Sequence, residues 1–314
     1  MMALNYVQIS AFEIDPSFVK SGAFGEVRKF QKRQLRHDEE NYRAVKSFKD
    51  ESSFEDEKKI FELIKAKLEI DGRQRHSNIV HCFGFCKTFD FSKNNNLYTD
   101  SLVLEFCDND LESYLTLPRK VEFGPKLTIA VMSDVIKGLK FLESKKLCHR
   151  DIKPRNILLK LTGNEIHHAL LTDFGLSKEM VDNKTGSKAG TKAWEAPEVQ
   201  AHGFQIESDI WSVGLVLVWC KTHVNLNDYK PLLTPDGKNS YKRFKNGKHA
   251  HSNKVKDELW KLKPRIVRCC DNNQCHHYPY EELFTFAEKC LEDNHEKRAK
   301  LDELLKILKV GKYF

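Results

Sequence analysis

The spacing of apolar residues changes along the chain. Up to about residue 110, apolar and polar positions alternate in short runs, the period of two expected for half-buried strands. One stretch, Phe54–Leu68, departs from this rule because its apolar residues recur every three to four positions. That spacing places four of them near one face of a helix: Phe54, Phe61, Ile64 and Leu68. The first third of the chain is therefore predicted to be mostly strand with one helix.

Four segments of that region are predicted to contain strands. Phe18–Phe30 has apolar ends around a centre of small residues, which predicts a hairpin. Tyr42–Phe48 is predicted to be a short strand. His76–Phe85 and Leu97–Cys107 are predicted to be two further strands on either side of a polar insertion.

From Leu111 onwards the pattern becomes mainly helical. Apolar residues step by three to four positions through Pro125–Lys146, which predicts a helix. A strand is predicted at Ile166–Thr172, an apolar helix from Asp209 to Cys220, and two helices within Leu283–Leu308. Strands first and helices later predict an α+β fold.

Composition narrows the class of protein. The chain has 314 residues, 40% hydrophobic and 31% charged, which is typical of a folded globular protein. The longest apolar run, Val213–Cys220, is less than half of a bilayer span, so no membrane insertion is expected. The early residues lack a basic-then-apolar signal, and nine irregularly spaced cysteines favour a reducing compartment, so an intracellular location, cytoplasmic or nuclear, is expected. A net charge of +7 favours a solvated surface, so nucleic-acid binding is not expected.

The stretch with the clearest chemistry is Leu147–Leu159, in which apolar flanks enclose a polar loop. It holds Asp151, Lys153 and Asn156 at spacings of two and three. A carboxylate can accept a hydroxyl proton, an ammonium can neutralise charge on a moving phosphoryl group, and an amide oxygen can hold Mg²⁺. The set indicates phosphoryl transfer, and the alternative is a chance polar loop between two strands.

The same stretch matches H-R-D-x-K-x-x-N and resembles the catalytic loop of eukaryotic-type Ser/Thr protein kinases. Further kinase-like motifs follow the order that the family requires: Gly22-x-x-Gly25-x-Val27, Ala44-Val45-Lys46, Asp173-Phe174-Gly175, Gly190-Thr191, Ala196-Pro197-Glu198, Asp209–Gly214 and Arg298. The resemblance covers Phe18–Leu308. It implies a single bilobal kinase domain, with an N-lobe at about 1–107, a C-lobe at about 108–314 and ATP in the cleft between them.

The resemblance also implies which residues hold the nucleotide. They are Val19, Gly22, Gly25, Val27, Ala44, Lys46, Glu105, Cys107, Asp110, Leu158 and Asp173. Lys20 stands where the family has its first glycine, so slower or altered handling of ATP is expected, but not loss of binding. Lys46 needs a carboxylate from the helix, and Glu57 is the expected partner because it lies beside the apolar stripe. Glu62 is the alternative.

Catalytic roles are implied in the same way. Asp151 orients the substrate hydroxyl and accepts its proton, and Lys153 stabilises the developing negative charge. Asn156 and Asp173 are expected to hold Mg²⁺. Thr191 is expected to hydrogen-bond both Asp151 and Lys153. ATP and Mg²⁺ are therefore the expected cosubstrate and metal, and the acceptors are Ser or Thr hydroxyls of protein substrates.

The resemblance extends to the structural support of the loop. Asp209 is expected to cap the backbone of the catalytic loop, and Arg298 is expected to pair with Glu198.

Regulation and partners are less determined by the sequence. Ser187 lies where the family often carries an activating phosphate, with Thr185 as the alternative, and Arg150 would pair with that phosphate. An upstream activating kinase would then be a partner. An unmodified loop serine at position 187 remains open.

The stretch 221–253 is polar and basic. It is interpreted as a solvated insertion, or as a docking surface for an acidic partner. Arg155 replaces an acidic residue with which many kinases read arginine upstream of the target, so selection for arginine is expected to be weak. The alternative to an active kinase is a pseudokinase or scaffold that binds nucleotide and regulates a partner.

Overall fold

The computed structural model describes residues 3–10, 12–22, 25–33, 41–89, 98–116, 124–162, 165–180, 190–222 and 278–310. The chain divides into two compact units. The first unit is Met1–Asp110 together with Leu158–Ser177, and the second is Leu111–Ile157 together with Lys178–Phe314.

An antiparallel sheet of five strands forms most of the first unit. Its strands are β1 (Phe12–Ser21), β2 (Gly25–Lys32), β3 (Tyr42–Phe48), β4 (Cys82–Phe89) and β5 (Tyr98–Glu105), in the spatial order β1-β2-β3-β5-β4. The predicted hairpin and the strand at Tyr42–Phe48 are confirmed. The strand predicted from His76 begins only at Cys82, because the preceding residues form turns and a single bridge between Ile79 and Leu171.

The two faces of this sheet carry different residues. Directly opposed residues of neighbouring strands share a face, and Lys46 on β3 is opposite both Val27 on β2 and Leu102 on β5. Ala44 is opposite Leu104, two positions along the same face. The other face contributes a buried apolar cluster of Phe30, Val45, Cys86 and Val103. Several of the expected nucleotide residues therefore lie together on one face.

Helix α1 spans Glu51–Ile70. Its buried residues recur every three or four positions, as the apolar pattern predicts, and they are Phe54, Glu57, Ile60, Phe61, Ile64 and Leu68. Glu57 is the charged member of this buried stripe.

Both ends of α1 have local stop signals. At the start, the side chain of Asp50 accepts a hydrogen bond of 2.8 Å from the backbone N–H of Ser53. At the end, Gly72 adopts a φ of 66° and the N–H of Arg73 donates to the carbonyl of Leu68 at 2.8 Å. This is the left-handed termination that favours glycine.

A second sheet completes the first unit. It contains β6 (Asn109–Asp110), β8 (Ile157–Thr162) and β9 (Glu165–Leu171), in the order β6-β8-β9. Leu171 and Val80 are joined by a backbone hydrogen bond of 2.9 Å, and the Asn78 side chain donates to the carbonyl of Ala169. These bonds explain why Leu158–Ser177 groups with the first unit, whereas the sequence places it in the C-lobe.

The second unit is mainly helical. Its helices are α2 (Leu111–Thr116), α3 (Pro125–Glu143), α4 (Val199–His202), α5 (Ile206–Thr222), α6 (Tyr278–Cys290) and α7 (Leu301–Val310), with a short β7–β10 pair at Leu147–Cys148 and Lys178–Glu179. Helix α3 ends at Glu143, three residues before the predicted end. Strands followed by helices confirm the α+β class. Among the helices that the structure describes, none is long and apolar enough to cross a membrane.

Candidate active site

The hairpin between β1 and β2 brings two glycines together. The N–H of Gly22 donates to the carbonyl of Gly25 at 2.8 Å. A Cβ on Gly25 would lie 1.9 Å from the carbonyl oxygen of Ser47 on the neighbouring strand β3. Only glycine fits there without displacing backbone. Val19 is 42% exposed at the end of β1, and Val27 lies opposite Lys46.

Lys46 binds two carboxylates at once. Its Nζ donates to Glu57 Oε2 and to Asp173 Oδ1, both at 2.6 Å. The side chains of Lys46 and Glu57 are buried, and that of Asp173 is 27% exposed. Burial acts to lower the pKa of Lys46, but the charges of Glu57 and Asp173 outweigh it and raise that pKa above its usual value. Lys46 is therefore an ammonium held in place from two sides.

The contact between Lys46 and Glu57 is the one predicted from the helical pattern. Burial raises the pKa of Glu57, and the charge of Lys46 opposes that rise. The alternative partner, Glu62, has another contact, since its Oε1 accepts the backbone N–H of Leu4 at 3.1 Å.

The backbone at Asp173 is held in place by the contacts of the next residue, Phe174. Asp173 has a φ of 66°, a left-handed conformation that is uncommon outside glycine. Phe174 is fully buried, and its ring meets that of Phe61 on α1 edge to face at 5.2 Å. The aromatic contact ties the strained backbone of Asp173 to the same helix that carries Glu57.

The segment from Glu105 to Asp110 follows β5. The Glu105 N–H donates to the carbonyl of His81 at 2.8 Å, and its buried carboxylate pairs with Lys160. Cys107 is buried, and Asp110 lies opposite Leu158 on β8.

Lys20 has a role that sequence reasoning missed. Its Nζ lies 2.6 Å from Asp110 Oδ2, and Lys20 itself is opposite Val27, on the face that carries Lys46. The Lys20 side chain is 43% exposed and that of Asp110 only 8%. The substitution of the first glycine therefore adds an ammonium to the expected ribose side of the nucleotide face. The only signal in the sequence was the departure from the glycine pattern.

In the second unit, Asp151 is the centre of a hydrogen-bonded group. Thr191 Oγ1 donates to Asp151 Oδ1 at 2.7 Å, and Lys153 Nζ donates to Asp151 Oδ2 at 2.7 Å and to Thr191 Oγ1 at 3.0 Å. Asn156 Nδ2 donates to the carbonyl and to Oδ2 of Asp151 at 2.8 and 2.9 Å. Both predicted contacts of Thr191 are present. Three residues, of which Thr191 is 40 positions away, thus fix one buried carboxylate.

Asp209 holds the backbone of the catalytic loop. Its two oxygens accept the N–H groups of His149 and Arg150 at 2.7 and 2.8 Å. Arg150 has a φ of 70°, so the two bonds support a strained conformation. Burial raises the pKa of Asp209 to about 7, although the two N–H donors and the Arg150 charge act to lower it.

The end of the predicted activation loop packs against the catalytic loop. Gly190 has a φ of 130°, and a Cβ there would lie 2.8 Å from the carbonyl oxygen of Arg150. The Arg150 side chain lies over the ring of Phe204, and burial lowers the pKa of its guanidinium. Ser187 and Thr185, the two expected phosphorylation sites, lie outside the described residues, as does most of the basic stretch 221–253.

A buried ion pair supports the second unit. Arg298 donates to Glu198 through two nitrogens, at 2.7 and 3.0 Å, as expected from the sequence. Ser208 also donates to Glu198 Oε1, at 2.9 Å. Burial acts to raise the pKa of Glu198, but the hydrogen bonds and charge of Arg298 lower it below its usual value.

Known proteins match this chain over most of its length. The family described as "Protein kinase domain" matches residues 17–308. The chain belongs to the protein kinase domain family. This agrees with the two groups of hydrogen-bonded residues and with the α+β fold.

Individual relatives match shorter parts. Two Arabidopsis thaliana proteins, serine/threonine-protein kinase AtPK2/AtPK19 and serine/threonine-protein kinase AtPK1/AtPK6, are 32% and 33% identical over 213 residues. Each alignment covers 67% of this chain and 41% or 42% of the relative. MAP kinase kinase skh1/pek1 of Schizosaccharomyces pombe is 45% identical over 85 residues, which are 27% of this chain and 22% of that protein. This kinase domain chain therefore spans less than half the length of these relatives.

The expected magnesium ligands of the kinase domain have suitable donor atoms. Asp173 presents a carboxylate that is partly exposed while bound to Lys46. Asn156 directs its amide nitrogen at Asp151, so its amide oxygen is the atom that suits a hard cation. Within the described residues, no group of three or more His, Cys, Asp or Glu is placed to hold a metal ion. A carboxylate oxygen and an amide oxygen are each donors of the kind that Mg²⁺ accepts.

Arg155, the residue expected to weaken selection for arginine, pairs with Glu112. Glu112 lies at the start of α2, so an acidic side chain is present beside Arg155 but is engaged by it. The expectation of weak arginine selection stays a prediction.

Proposed function

We propose that this chain is an ATP-dependent protein kinase that transfers the γ-phosphoryl group to Ser or Thr hydroxyls of protein substrates. The observation that carries the proposal is the group formed by Asp151, Lys153, Thr191 and Asn156. A buried carboxylate fixed by an ammonium, a hydroxyl and an amide is suited to orient a substrate hydroxyl and take its proton. The kinase relatives support the same reaction class.

The reaction proposed is an in-line displacement at the γ-phosphorus of ATP. The oxygen of the substrate hydroxyl forms a bond to phosphorus, and the bond from phosphorus to the β–γ bridging oxygen breaks. ADP leaves with the electron pair of that bond. The hydroxyl proton passes to the Asp151 carboxylate, and the Lys153 ammonium stabilises the negative charge on the transferring group.

The group formed by Lys46, Glu57 and Asp173 is proposed to position the nucleotide phosphates. Lys46 is fixed by Glu57, so its charge is already in place when phosphates bind. The Lys46 side chain therefore loses little conformational freedom at that point. Asp173 and Asn156 are the residues that would hold Mg²⁺, which neutralises charge on the phosphates when it is bound.

Adenine and ribose are assigned to the segment after β5. The Glu105 carbonyl and the Cys107 backbone are proposed to hydrogen-bond adenine, with Leu158, Ala44, Val27 and Val19 as apolar contacts. Asp110 is proposed to accept a ribose hydroxyl. The Lys20 ammonium lies on Asp110, so ribose would share this carboxylate with Lys20, which a carboxylate with its several lone-pair sites allows.

The decisive experiment measures radiolabelled phosphate transfer from ATP to a generic protein acceptor, for the full chain and for Asp151→Asn. The Asn variant keeps the size of the side chain but cannot accept the proton, so we expect kcat to fall by about several hundredfold or more. Nucleotide affinity, measured by calorimetry, should stay nearly unchanged because Asp151 is not among the residues assigned to the nucleotide. Near-normal turnover of Asp151→Asn would refute the role of Asp151. Nucleotide binding by the full chain without any transfer would instead favour the scaffold alternative.

Phosphorylation of Ser187, or of Thr185, is proposed to activate the kinase through Arg150. The support is chemical: burial lowers the pKa of the Arg150 guanidinium, so a phosphate beside it would stabilise its charge. We expect Ser187→Ala to abolish activation by an upstream kinase while basal transfer persists, with Thr185→Ala as the matched variant. Full activation of a protein lacking both hydroxyls would contradict this regulation.

The basic stretch 221–253 is proposed to bind an acidic partner. The support is its excess of lysine and arginine over aspartate and glutamate. Binding should weaken as salt is raised, because screening acts on exposed charges. Affinity for an acidic peptide that does not change with salt would exclude this partner class.

A further inference from the structure

The first described residues of the chain lie against helix α1. Leu4 is only 6% exposed, and its backbone N–H donates to Glu62 Oε1 at 3.1 Å. Lys65 Nζ donates to the carbonyl of Ala3 at 3.0 Å. Glu62 and Lys65 both belong to α1, so the segment is tied to this helix by two hydrogen bonds and one buried side chain.

The same residues are bonded to the sheet. The Phe85 N–H donates to the carbonyl of Asn5 at 3.0 Å, and the Val7 N–H donates to the carbonyl of Phe85 at 2.7 Å. Tyr6 forms a parallel bridge with Phe85, and the two rings meet edge to face at 5.7 Å. Since β4 is an edge of the five-stranded sheet, Ala3–Val7 joins that edge to α1. We name Ala3–Val7 the N-terminal strap.

One residue of β4 is adapted to this contact. Gly84 has a φ of 143°, and a Cβ there would lie 2.1 Å from the carbonyl oxygen of Asn5 and 2.8 Å from Val7 Cγ2. Any other residue at position 84 would push the strap away from the sheet edge.

The strap borders a groove beside helix α1. A groove of about 300 Å³ is lined there by Leu4 and Asn5 of the strap, by Ile64 and Leu68 of α1, and by Val80. Close-packed contacts transmit a displacement from one element to the next, so contacts at this groove bear on the position of α1. The strap supplies contacts of this kind.

Helix α1 also carries the residues that position the nucleotide group. Glu57 binds Lys46, and Phe61 contacts Phe174 next to Asp173. Glu62 and Lys65, which hold the strap, lie one to two turns further along the same helix. A displacement of α1 at the strap would therefore change the geometry at Glu57.

We propose that the N-terminal strap is a positioning element that keeps α1 where Glu57 can bind Lys46. The importance of Lys46 for phosphoryl transfer rests on the proposed function. The Lys46–Glu57 contact itself does not, and it can be probed without any activity.

The test compares the full chain with a deletion of Met2–Val7 and with Gly84→Ala. We expect kcat/KM for phosphate transfer to fall by at least about tenfold in both, because small misplacements of catalytic groups are costly. We also expect Lys46, which is buried against Glu57, to be acylated faster by an amine-reactive ester, as measured by mass spectrometry. Global unfolding would also expose Lys46, so each variant is compared with a control of matched stability under conditions in which both stay folded.

Gly72→Ala is the matched control. Gly72 also has a positive φ, so the substitution strains the backbone, but nothing lies within 4 Å of its added Cβ. This variant should lose stability without faster acylation of Lys46. A second comparison uses Glu62→Gln, which keeps an acceptor for the Leu4 N–H, and Glu62→Ala, which removes it. Only the Ala variant should show the strap phenotype.

Combining Gly84→Ala with the deletion separates the strap from other effects of position 84. If Gly84→Ala acts through the strap, the double variant should show the same Lys46 reactivity as the deletion alone. If the deletion fails to fold, Leu4→Ala takes its place. Lys46 reactivity that is unchanged in the deletion, or in Leu4→Ala, would overturn the proposal. Absence of phosphate transfer by the full chain would instead overturn the proposed function and leave the acylation result standing.

Discussion

Asp151 and Gly25 show two different demands on single residues. Asp151 needs a chemical group, and its carboxylate is surrounded by donors from Lys153 and Thr191. Gly25 needs the absence of a group, because β2 and β3 approach so closely that a Cβ would overlap the Ser47 carbonyl. The need for a carboxylate at position 151 can be recognised from a sequence motif. The second demand follows only from the distance between two strands.

The glycine hairpin yields a matched pair of substitutions. Gly25→Ala must displace the backbone of β3, next to Lys46, and we expect a loss of about 1–3 kcal/mol in the free energy of unfolding. KM for ATP should rise with it. Gly22→Ala is the control for stability, since the nearest atom to its Cβ would be 3.8 Å away. Thermal unfolding of both variants, and ATP titration of Gly25→Ala against wild type, check this. Equal effects in the two would contradict the steric explanation.

The residues that form the two hydrogen-bonded groups were largely predictable, because most of them belong to short motifs. Asp151, Lys46 and Asp173 belong to that class. The pair of Lys20 with Asp110 was not predictable, because its members are 90 positions apart and belong to strands of different sheets. Periodicity did find Glu57, since burial on α1 follows directly from helical spacing.

At the scale of elements, local sequence signals predicted whether a segment is a helix or a strand better than they predicted where it begins and ends. Helix α1 was recognised from its apolar spacing, and its cap at Asp50 and its end at Gly72 are local as well. The start of β4 was misplaced because His76–His81 is apolar enough for a strand but is engaged by turns and by Leu171. A partner distant in the sequence therefore decided that boundary.

The N-cap of α1 can be tested in isolation. Asp50→Ala removes the acceptor of the Ser53 N–H, so we expect the midpoint of thermal unfolding to fall by a few degrees. Asp56→Ala is the control, because it makes the same chemical change at an exposed position inside the helix. Calorimetry of the two variants gives the comparison. A loss confined to Asp56→Ala would show that the cap does not stabilise α1.

At the scale of the whole molecule, sequence order is not the order of the compact units. Leu158–Ser177 follows the catalytic loop in the chain, yet it belongs with the sheet of the first unit. Its link through Asn78 and Val80 consists of backbone and amide hydrogen bonds, which leave no trace in an apolar pattern. The strand at Ile166–Thr172 was predictable from its apolar residues. The compact unit to which it belongs was not predictable.

The buried carboxylate of Asp209 should make the stability of the molecule depend on pH. Its folded pKa of about 7 lies above the usual value, so the native state keeps a proton that the unfolded state releases. This contribution is fully present below about pH 4 and is lost as pH rises through 7, a difference of up to ~4 kcal/mol. Asp209→Asn should lack this decline, although it weakens the hold on the Arg150 N–H.

Denaturant unfolding of both proteins from pH 4 to 8 measures the effect. The difference in unfolding free energy between wild type and Asp209→Asn should change steadily across that interval, in the direction that favours wild type at the acid end. A difference independent of pH would show that Asp209 is ionised throughout, held so by its two N–H donors.

The contact between Lys20 and Asp110 also affects how an inhibitor could discriminate between this protein and its relatives. A compound that directs its own amine at Asp110 must displace Lys20, which already lies 2.6 Å from that carboxylate. In a kinase domain with glycine at this place, the same amine meets no built-in competitor. A neutral hydrogen-bond donor avoids much of that competition. Selectivity between such compounds would therefore be governed by a side chain that replaces a glycine.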